Sequence, residues 1–230
     1  MADSRLKKQL AEAVEELELE LPVQTQGLLL EYLAQMQRWN RTYNLTAIRD
    51  AQQMLVQHII DSLAVVGPMR RALESKPEAV IVDVGSGAGL PGAVLAMACP
   101  GWTIHCVDAV EKKMAFVRQM SGVLGLSNLS AKHGRIEALP NLQADIVVSR
   151  AFASLLDFAT LAGGHVQPSG SMLAMKGRYP EEEIAALHAQ GNWKVQSVQQ
   201  LQVPQLEAQR CLVWIEACSG PVLKETHESQ

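Results

Sequence analysis

The stretch Val80-Ile-Val-Asp-Val-Gly-Ser-Gly-Ala-Gly-Leu-Pro-Gly-Ala93 constrains this 230-residue chain more than any other. Val80, Ile81, Val82 and Val84 form a β-branched apolar run. Such a run, bounded by turn residues, reads as a strand buried on both faces, as in a parallel sheet. Gly85, Gly87 and Gly89 follow at alternate positions and let the backbone turn sharply and approach a ligand closely. A helix should start near Leu90, with Pro91 in its first turn, where a missing N–H costs little. Strand, glycine turn and helix start together make a nucleotide-cofactor cradle.

A glycine turn of this kind suits NAD, FAD or S-adenosylmethionine. Two carboxylates sharpen the reading. Asp83 sits in the strand two residues before Gly85, where a charge is costly unless it is paired. Asp108 ends a second apolar run, 23 positions after Gly85. That is close to the roughly 20-residue spacing at which an acid meets a ribose hydroxyl pair.

No apolar run approaches the ~18 residues of a membrane span, and no basic start precedes an apolar segment as in a secretory signal. Cys99, Cys106, Cys211 and Cys218 lie in apolar runs without a C-x-x-C pair, so they read as buried free thiols in a reducing, cytoplasmic compartment and not as a zinc site. The net charge of −4 comes from the ends, since residues 21–220 hold 16 bases and 16 acids. Within that neutral body Arg38, Arg41 and Arg49 occur with no acid between them.

In chain order, Leu6, Leu10, Val14 and Leu17 predict an acidic amphipathic helix over 4–19. Leu29, Leu33, Met36 and Trp39 predict a second over 24–41, followed by the polar loop Asn40–Thr46. Asp50 is placed to cap a third, running to Val66 with His58 and Asp61 one turn apart in the manner of a structural polar contact. Residues 67–79 read as a connection. From Val80 strands are expected near 80–84, 102–107, 129–132, 144–149 and 170–175. Helices are expected near 90–98, 110–125, 154–163 and 180–190. This alternation predicts a mostly parallel sheet covered on both faces. Residues 193–203 and 208–216 then form two strand-like runs without a helix between them, hence an antiparallel hairpin at the sheet edge.

An α/β sheet that closes on such a hairpin resembles the Rossmann-like class I S-adenosylmethionine-dependent methyltransferases. The expected division is an N-terminal helical extension over 1–78, an S-adenosylmethionine-binding methyltransferase domain over 79–217 and a flexible tail over 218–230. The resemblance narrows with Asn40-Arg-Thr-Tyr-Asn-Leu-Thr-Ala-Ile-Arg-Asp50, His58-Ile-Ile-Asp-Ser62, Asp83-Val-Gly-Ser-Gly-Ala-Gly-Leu-Pro-Gly92, Ser149-Arg-Ala-Phe-Ala153 and Leu173-Ala-Met-Lys-Gly177. Together, in this order, they are similar to the bacterial RsmG (GidB) family, over about residues 25 to 216. That resemblance implies methylation of guanine N7 in small-subunit (16S) ribosomal RNA, with the rRNA or the small ribosomal subunit as partner, no metal and a monomeric protein. The alternative is a methyltransferase acting on a small molecule. An NAD-dependent oxidoreductase and a non-catalytic nucleotide-binding regulator are more distant options.

The chemistry fits the implied acceptor. Guanine N7 carries a lone pair and no proton, so in-line attack needs positioning and desolvation and no general base. After the fourth strand stands Ser149-Arg150-Ala151-Phe152, without the Asn/Asp-Pro-Pro-aromatic motif of exocyclic amine methylation and without a cysteine for covalent attack on a pyrimidine. No catalytic acid or base is therefore assigned, and Arg150 is the one candidate. By resemblance and geometry Gly85 and Gly87 approach the methionine part of the cofactor with Leu90 beside them, and Asp83 meets its ammonium. Asp108 takes the ribose, and Ile136 and Glu137 take the adenine side. Arg150 is expected at the cofactor carboxylate or an RNA phosphate. Arg38, Arg41 and Arg49 with Trp39 and Tyr43 read as a stacking-capable RNA rim. Lys176 and Arg178 are further candidates for phosphate contacts.

Overall fold

A computed structural model describes residues 2–150 and 152–218. Of the expected tail, all but Cys218 lies outside the described residues, as does Ala151. Helices α1 (Ala2–Glu16) and α2 (Val23–Tyr43) match the apolar stripes that predicted them. The next helix, α3, begins as Ala51–Met54, takes a π-helical stretch over Leu55–Ile60 and ends as Asp61–Leu63. Asp50 caps it, accepting from the Gln53 N–H at 2.9 Å.

Two expectations are corrected. Residues 67–79 are not simply a connection, because α4 (Val66–Ala72) forms there. Gly67 and Pro68 read as breakers, but Pro68 stands in the first turn, where no N–H is needed. The fifth strand starts at Val166, four residues before the sequence placed it.

The remaining elements are β1 (Val80–Val84), α5 (Gly92–Ala98), β2 (Thr103–Asp108), α6 (Glu111–Val123), β3 (Leu129–His133), β4 (Ala144–Ser149), α7 (Leu155–Ala162), β5 (Val166–Lys176), α8 (Glu181–Gln190), β6 (Trp193–Gln200) and β7 (Cys211–Ala217). The sheet order is β3-β2-β1-β4-β5-β7-β6. Strands β1 to β5 pair in parallel, while β7 inserts antiparallel between β5 and β6. This is the seven-stranded, mostly parallel sheet with an antiparallel terminal hairpin that the sequence predicts.

Strand order reverses between β1 and β4, so the carboxyl ends of β1, β2 and β4 surround the crevice where such folds bind ligands. One face of the sheet is covered by α5, α6 and the N-terminal helices. A single apolar cluster there runs from Leu10 of α1 through Met36 and Ile59 to Val148 and Trp214. On the other face Phe158, Ala162 and Leu187 of α7 and α8 pack on Val82, Val147 and Val213.

Candidate active site

The β1 strand ends where its ladder to β2 runs on into the turn. Gly85 and Ser86 N–H groups donate to the Val107 carbonyl at 2.9 and 3.1 Å. Gly87 has φ +60 and donates its N–H to Asp108 Oδ2 at 2.9 Å. The other Asp108 oxygen accepts from the Val110 N–H at 2.9 Å. The carboxylate therefore ties the glycine turn to the β2–α6 corner and still reaches the wall of a cavity of about 380 Å³. Gly85 and Val84 line the same cavity, with Ala109, Gly134 to Glu137, Phe152 and Leu161. The Ile136 carbonyl is anchored from behind by buried His165, whose Nε2 donates to it at 2.9 Å. His165 carried no sequence signal, because a lone histidine after a helix does not reveal its partner 29 positions away.

The predicted cofactor residues divide. Gly85, Asp108, Ile136 and Glu137 line this cavity together, and Gly87 adjoins it through Asp108. Leu90 is instead 2% exposed and packs in the core under the turn, its N–H closing onto the Ser86 carbonyl at 2.8 Å. Asp83 is fully buried, and its Oδ2 accepts from the Gly92 N–H at 2.7 Å. Burial pushes its carboxyl up to about 7. Asp83 thus holds the start of α5 from inside and does not face the cavity.

Arg150 stands apart from that cavity. It lines a second cavity, of about 220 Å³, at the carboxyl ends of β4 and β5. The cause is Asp61, 1% exposed, which draws two guanidinium groups. Its Oδ2 accepts from Arg150 Nη1 at 3.2 Å and its Oδ1 from Arg210 Nε at 2.8 Å. Arg150 Nη1 also donates to the Gln57 carbonyl at 3.2 Å. The π-helical stretch sets this up. The Asp61 N–H reaches back to the Val56 carbonyl, and the Ser62 hydroxyl donates to the His58 carbonyl at 2.6 Å. A π-turn of this kind often marks a functional site.

His58 faces the same cavity with both ring nitrogens engaged. Nε2 lies 2.9 Å from Thr46 Oγ1, and Nδ1 lies 3.1 Å from the Gln57 carbonyl. Burial and the neighbouring Arg150 charge pull its pKa down to about 4, so it is neutral near pH 7. Thr46 belongs to the polar loop, which buried Asn40 clamps by donating to the Ile48 carbonyl at 3.1 Å and accepting from the Thr46 N–H at 2.9 Å. Lys176, predicted as a phosphate contact, lines the cavity but is paired with Glu183 at 2.7 Å.

Arg38, Arg41 and Arg49 are exposed, and Arg49 bonds the Asn44 side chain at 3.2 Å. Trp39 and Tyr43 stack at 4.9 Å, although Trp39 also packs on Phe116 at 5.4 Å and so is partly committed to the core. Arg178 is exposed as well. No helix among the described residues is long and apolar enough to cross a membrane.

Comparison with known proteins decides the family. The family model of "rRNA small subunit methyltransferase G" matches residues 25–213. The chain belongs to that family. It is 60% identical over 211 residues to the ribosomal RNA small subunit methyltransferase G of Bordetella petrii, covering 92% of this chain and 83% of the relative. It is 49% identical over 210 residues to that of Methylibium petroleiphilum, covering 91% and 94%. Among solved structures, a SAM-dependent methyltransferase from Aquifex aeolicus matches with TM-score 0.51 and 18% identity, covering 67% of this chain and 92% of that one. TrmN from Thermus thermophilus matches with TM-score 0.51 and 15% identity, covering 71% and 53%. These distant matches show the fold. As a member of the family the chain is an S-adenosylmethionine-dependent enzyme that methylates small-subunit rRNA.

The first cavity fits that cofactor. Its volume lies at the small end of the ~300–1,000 Å³ of ligand pockets. A Cβ on Gly87 would project into open space with nothing within 4 Å, so the turn leaves room for a ligand there.

Proposed function

We propose that the enzyme methylates N7 of a guanine in small-subunit rRNA by direct transfer, without a general base. One observation carries this most: every acid or base that lines the Arg150 cavity is already engaged. His58 is neutral and bonded at both nitrogens. Asp61 is covered by two arginines. Such a site suits an acceptor that brings its own lone pair, and N7 does.

S-adenosylmethionine, when bound, supplies a methyl group activated by its sulfonium. Asp108 would hold its ribose, the Gly85–Gly87 backbone its methionine part, and the Ile136–Glu137 segment its adenine. Arg150 and Arg210 present donors, the groups that read the O6 edge of guanine or an RNA phosphate. Their shared carboxylate fixes them before the RNA arrives, which lowers the ordering cost of binding. Arg150 is thus a positioning group for the RNA and not a cofactor ligand. Arg38, Arg41, Arg49 and Tyr43 form an exposed rim for the surrounding RNA. Residues 1–78 act as the RNA-facing helical extension, residues 79–217 as the methyltransferase domain, and the enzyme works as a cytoplasmic monomer.

The test is methyl transfer from labelled S-adenosylmethionine to small subunits and to naked rRNA, each from cells lacking this enzyme, with nucleoside mass spectrometry of the product. Label in 7-methylguanosine is expected. Label in another nucleoside would refute the N7 assignment. Absence of label in RNA, with the cofactor bound, would point to a small-molecule acceptor.

A further inference from the structure

A groove between α1, α3 and the β6–β7 connection has no part in the function proposed so far. It has a volume of about 450 Å³ and is lined by Gln9, Gln52, Gln53, Gln57 and Gln205. Gln57 also lines the Arg150 cavity, so the two spaces are neighbours across one side chain.

The construction of the groove favours a built site. Gln205 has φ +64, a left-handed conformation that a glycine would adopt more cheaply. The chain keeps a glutamine there, whose Nε2 donates to the Gln9 carbonyl at 3.1 Å and ties the connection to α1. Gln9 Oε1 is buried with no hydrogen-bond partner among the described residues. Gln9 also lies outside residues 25–213, so part of the groove is added by a segment that the family match does not cover.

The lining chemistry selects the ligand. A carboxamide presents a donor and an acceptor side by side. That is the pattern that reads base edges, in DNA grooves and in unpaired RNA. A phosphate site would need cations, and among the described residues the one charged side chain in the lining is Glu207, which repels phosphate. The cations stand one step out, where Arg5 and Lys8 line the adjoining cavity with Gln9, Glu12 and Gln205; Lys8 pairs with the exposed Glu12 at 3.7 Å, which leaves Arg5 the main cation there.

We propose that this groove takes an unpaired nucleobase of the substrate RNA flanking the methylated nucleotide, read by the amides of Gln53 and Gln57 and the free oxygen of Gln205, with Arg5 beside its phosphate. This rests on rRNA being the substrate at the Arg150 cavity.

The test uses the full-length enzyme and small subunits from cells lacking it. Gln53→Ala is combined with Gln205→Gly, which keeps the turn and removes the amide. Loss of base-edge contacts predicts a rise in subunit KM of about tenfold, with kcat and the cofactor affinity by calorimetry unchanged. A KM equal to that of the parent overturns the proposal. A photo-crosslinking side chain in place of Gln53, in the otherwise unaltered enzyme, supplies the second measurement. Crosslinks to rRNA within a few nucleotides of the modified base support the proposal, and crosslinks confined to ribosomal protein overturn it. If the parent enzyme methylates no rRNA at all, the underlying substrate assignment fails instead, and the two failures are told apart.

Discussion

Asp61→Asn is the most informative single change. The side chain is almost isosteric, so packing survives while the charge disappears. Asp61 is 1% exposed, yet Arg150 and Arg210 are 25% and 24% exposed at their side chains. Removing one partner of a fully buried ion pair costs about 3–5 kcal/mol. Here water can re-solvate part of both guanidinium groups, so the loss should fall to about 2–3 kcal/mol, near the value of one or two charged hydrogen bonds. For a chain of this size that lowers Tm by about 5–10 °C.

The activity consequence is separable from the stability one. Arg150 loses the charged acceptor that aims it, and among the described residues it keeps the Gln57 carbonyl and at most a neutral amide oxygen. Methyl transfer to rRNA should fall about 10- to 100-fold, while cofactor affinity stays near that of the parent because Asp108 and the Ile136 segment line a different cavity. Thermal melts, isothermal calorimetry with the cofactor and steady-state kinetics below the new Tm measure the three quantities. Arg150→Ala alone and with Asp61→Asn completes a cycle, and the double variant should lose much less than the sum of the singles. Parental Tm and turnover in Asp61→Asn, or strict additivity in the cycle, would refute the hub.

Three further outcomes are expected. Gly87→Val should lower cofactor affinity at least tenfold, because its side chain enters the open space beside the turn; valine at φ +60 is also strained and should lower Tm by a few degrees without unfolding the protein at assay temperature; unaltered calorimetric binding would remove the turn from the site. Arg38→Glu, Arg41→Glu and Arg49→Glu combined should raise subunit KM and spare cofactor affinity, and equal loss of both would contradict a surface role. Asp83→Asn should change the pH profile of stability. The folded carboxyl binds its proton up to about pH 7 and the unfolded one only to about 3.8, so Asp83 makes stability fall as pH rises between those values, by at most about 4 kcal/mol. His58, pulled down to about 4 from 6.5, acts oppositely and makes stability rise with pH through that interval. The parent profile is therefore the difference of two slopes, and urea unfolding of Asp83→Asn should gain stability relative to the parent between pH 5 and 8. A constant difference across that range would refute the buried-carboxyl assignment.

Local periodicity carried the strands and helices far, and long-range partners set where it failed. The run at Val80–Val84, the glycine turn and Asp108 are contiguous signals, and the structure joins them through the Gly87 N–H. The polar stretch Gln167 to Gly170, with Pro168 in it, hides the first residues of the fifth strand from the sequence pattern. Its pairing with β4 shifts register between Ala144 and Ile146, which tolerates such residues. Its place at a strand end marks Arg150 in the sequence, but its orientation is fixed by Asp61, 89 residues earlier. Nothing in the helical pattern of α3 announces the π-stretch that turns Asp61 inward.

The helix α2 shows why the N-terminal helices matter to a site built on the sheet. Its buried Tyr32 donates its hydroxyl to the Ala88 carbonyl at 2.5 Å, inside the glycine turn. A Cβ on Gly89 would stand 2.6 Å from that hydroxyl and 2.9 Å from Val117, so the turn is pressed between α2 and α6. Two turns further along, Asn40 clamps the loop whose Thr46 bonds His58, and Arg38 and Arg41 stand exposed beside it. One rigid helix therefore touches the cofactor turn at Tyr32, the Arg150 cavity through Asn40 and Thr46, and the proposed RNA rim. Tyr32→Phe removes only the hydroxyl bond and leaves the ring against Phe116, 5.4 Å away. The Ala88 carbonyl is then buried without that donor, at a cost of about 1–3 kcal/mol. Weaker cofactor binding with an unchanged subunit KM would place the effect in the turn, and unchanged cofactor binding would show that the glycine turn holds its shape without α2.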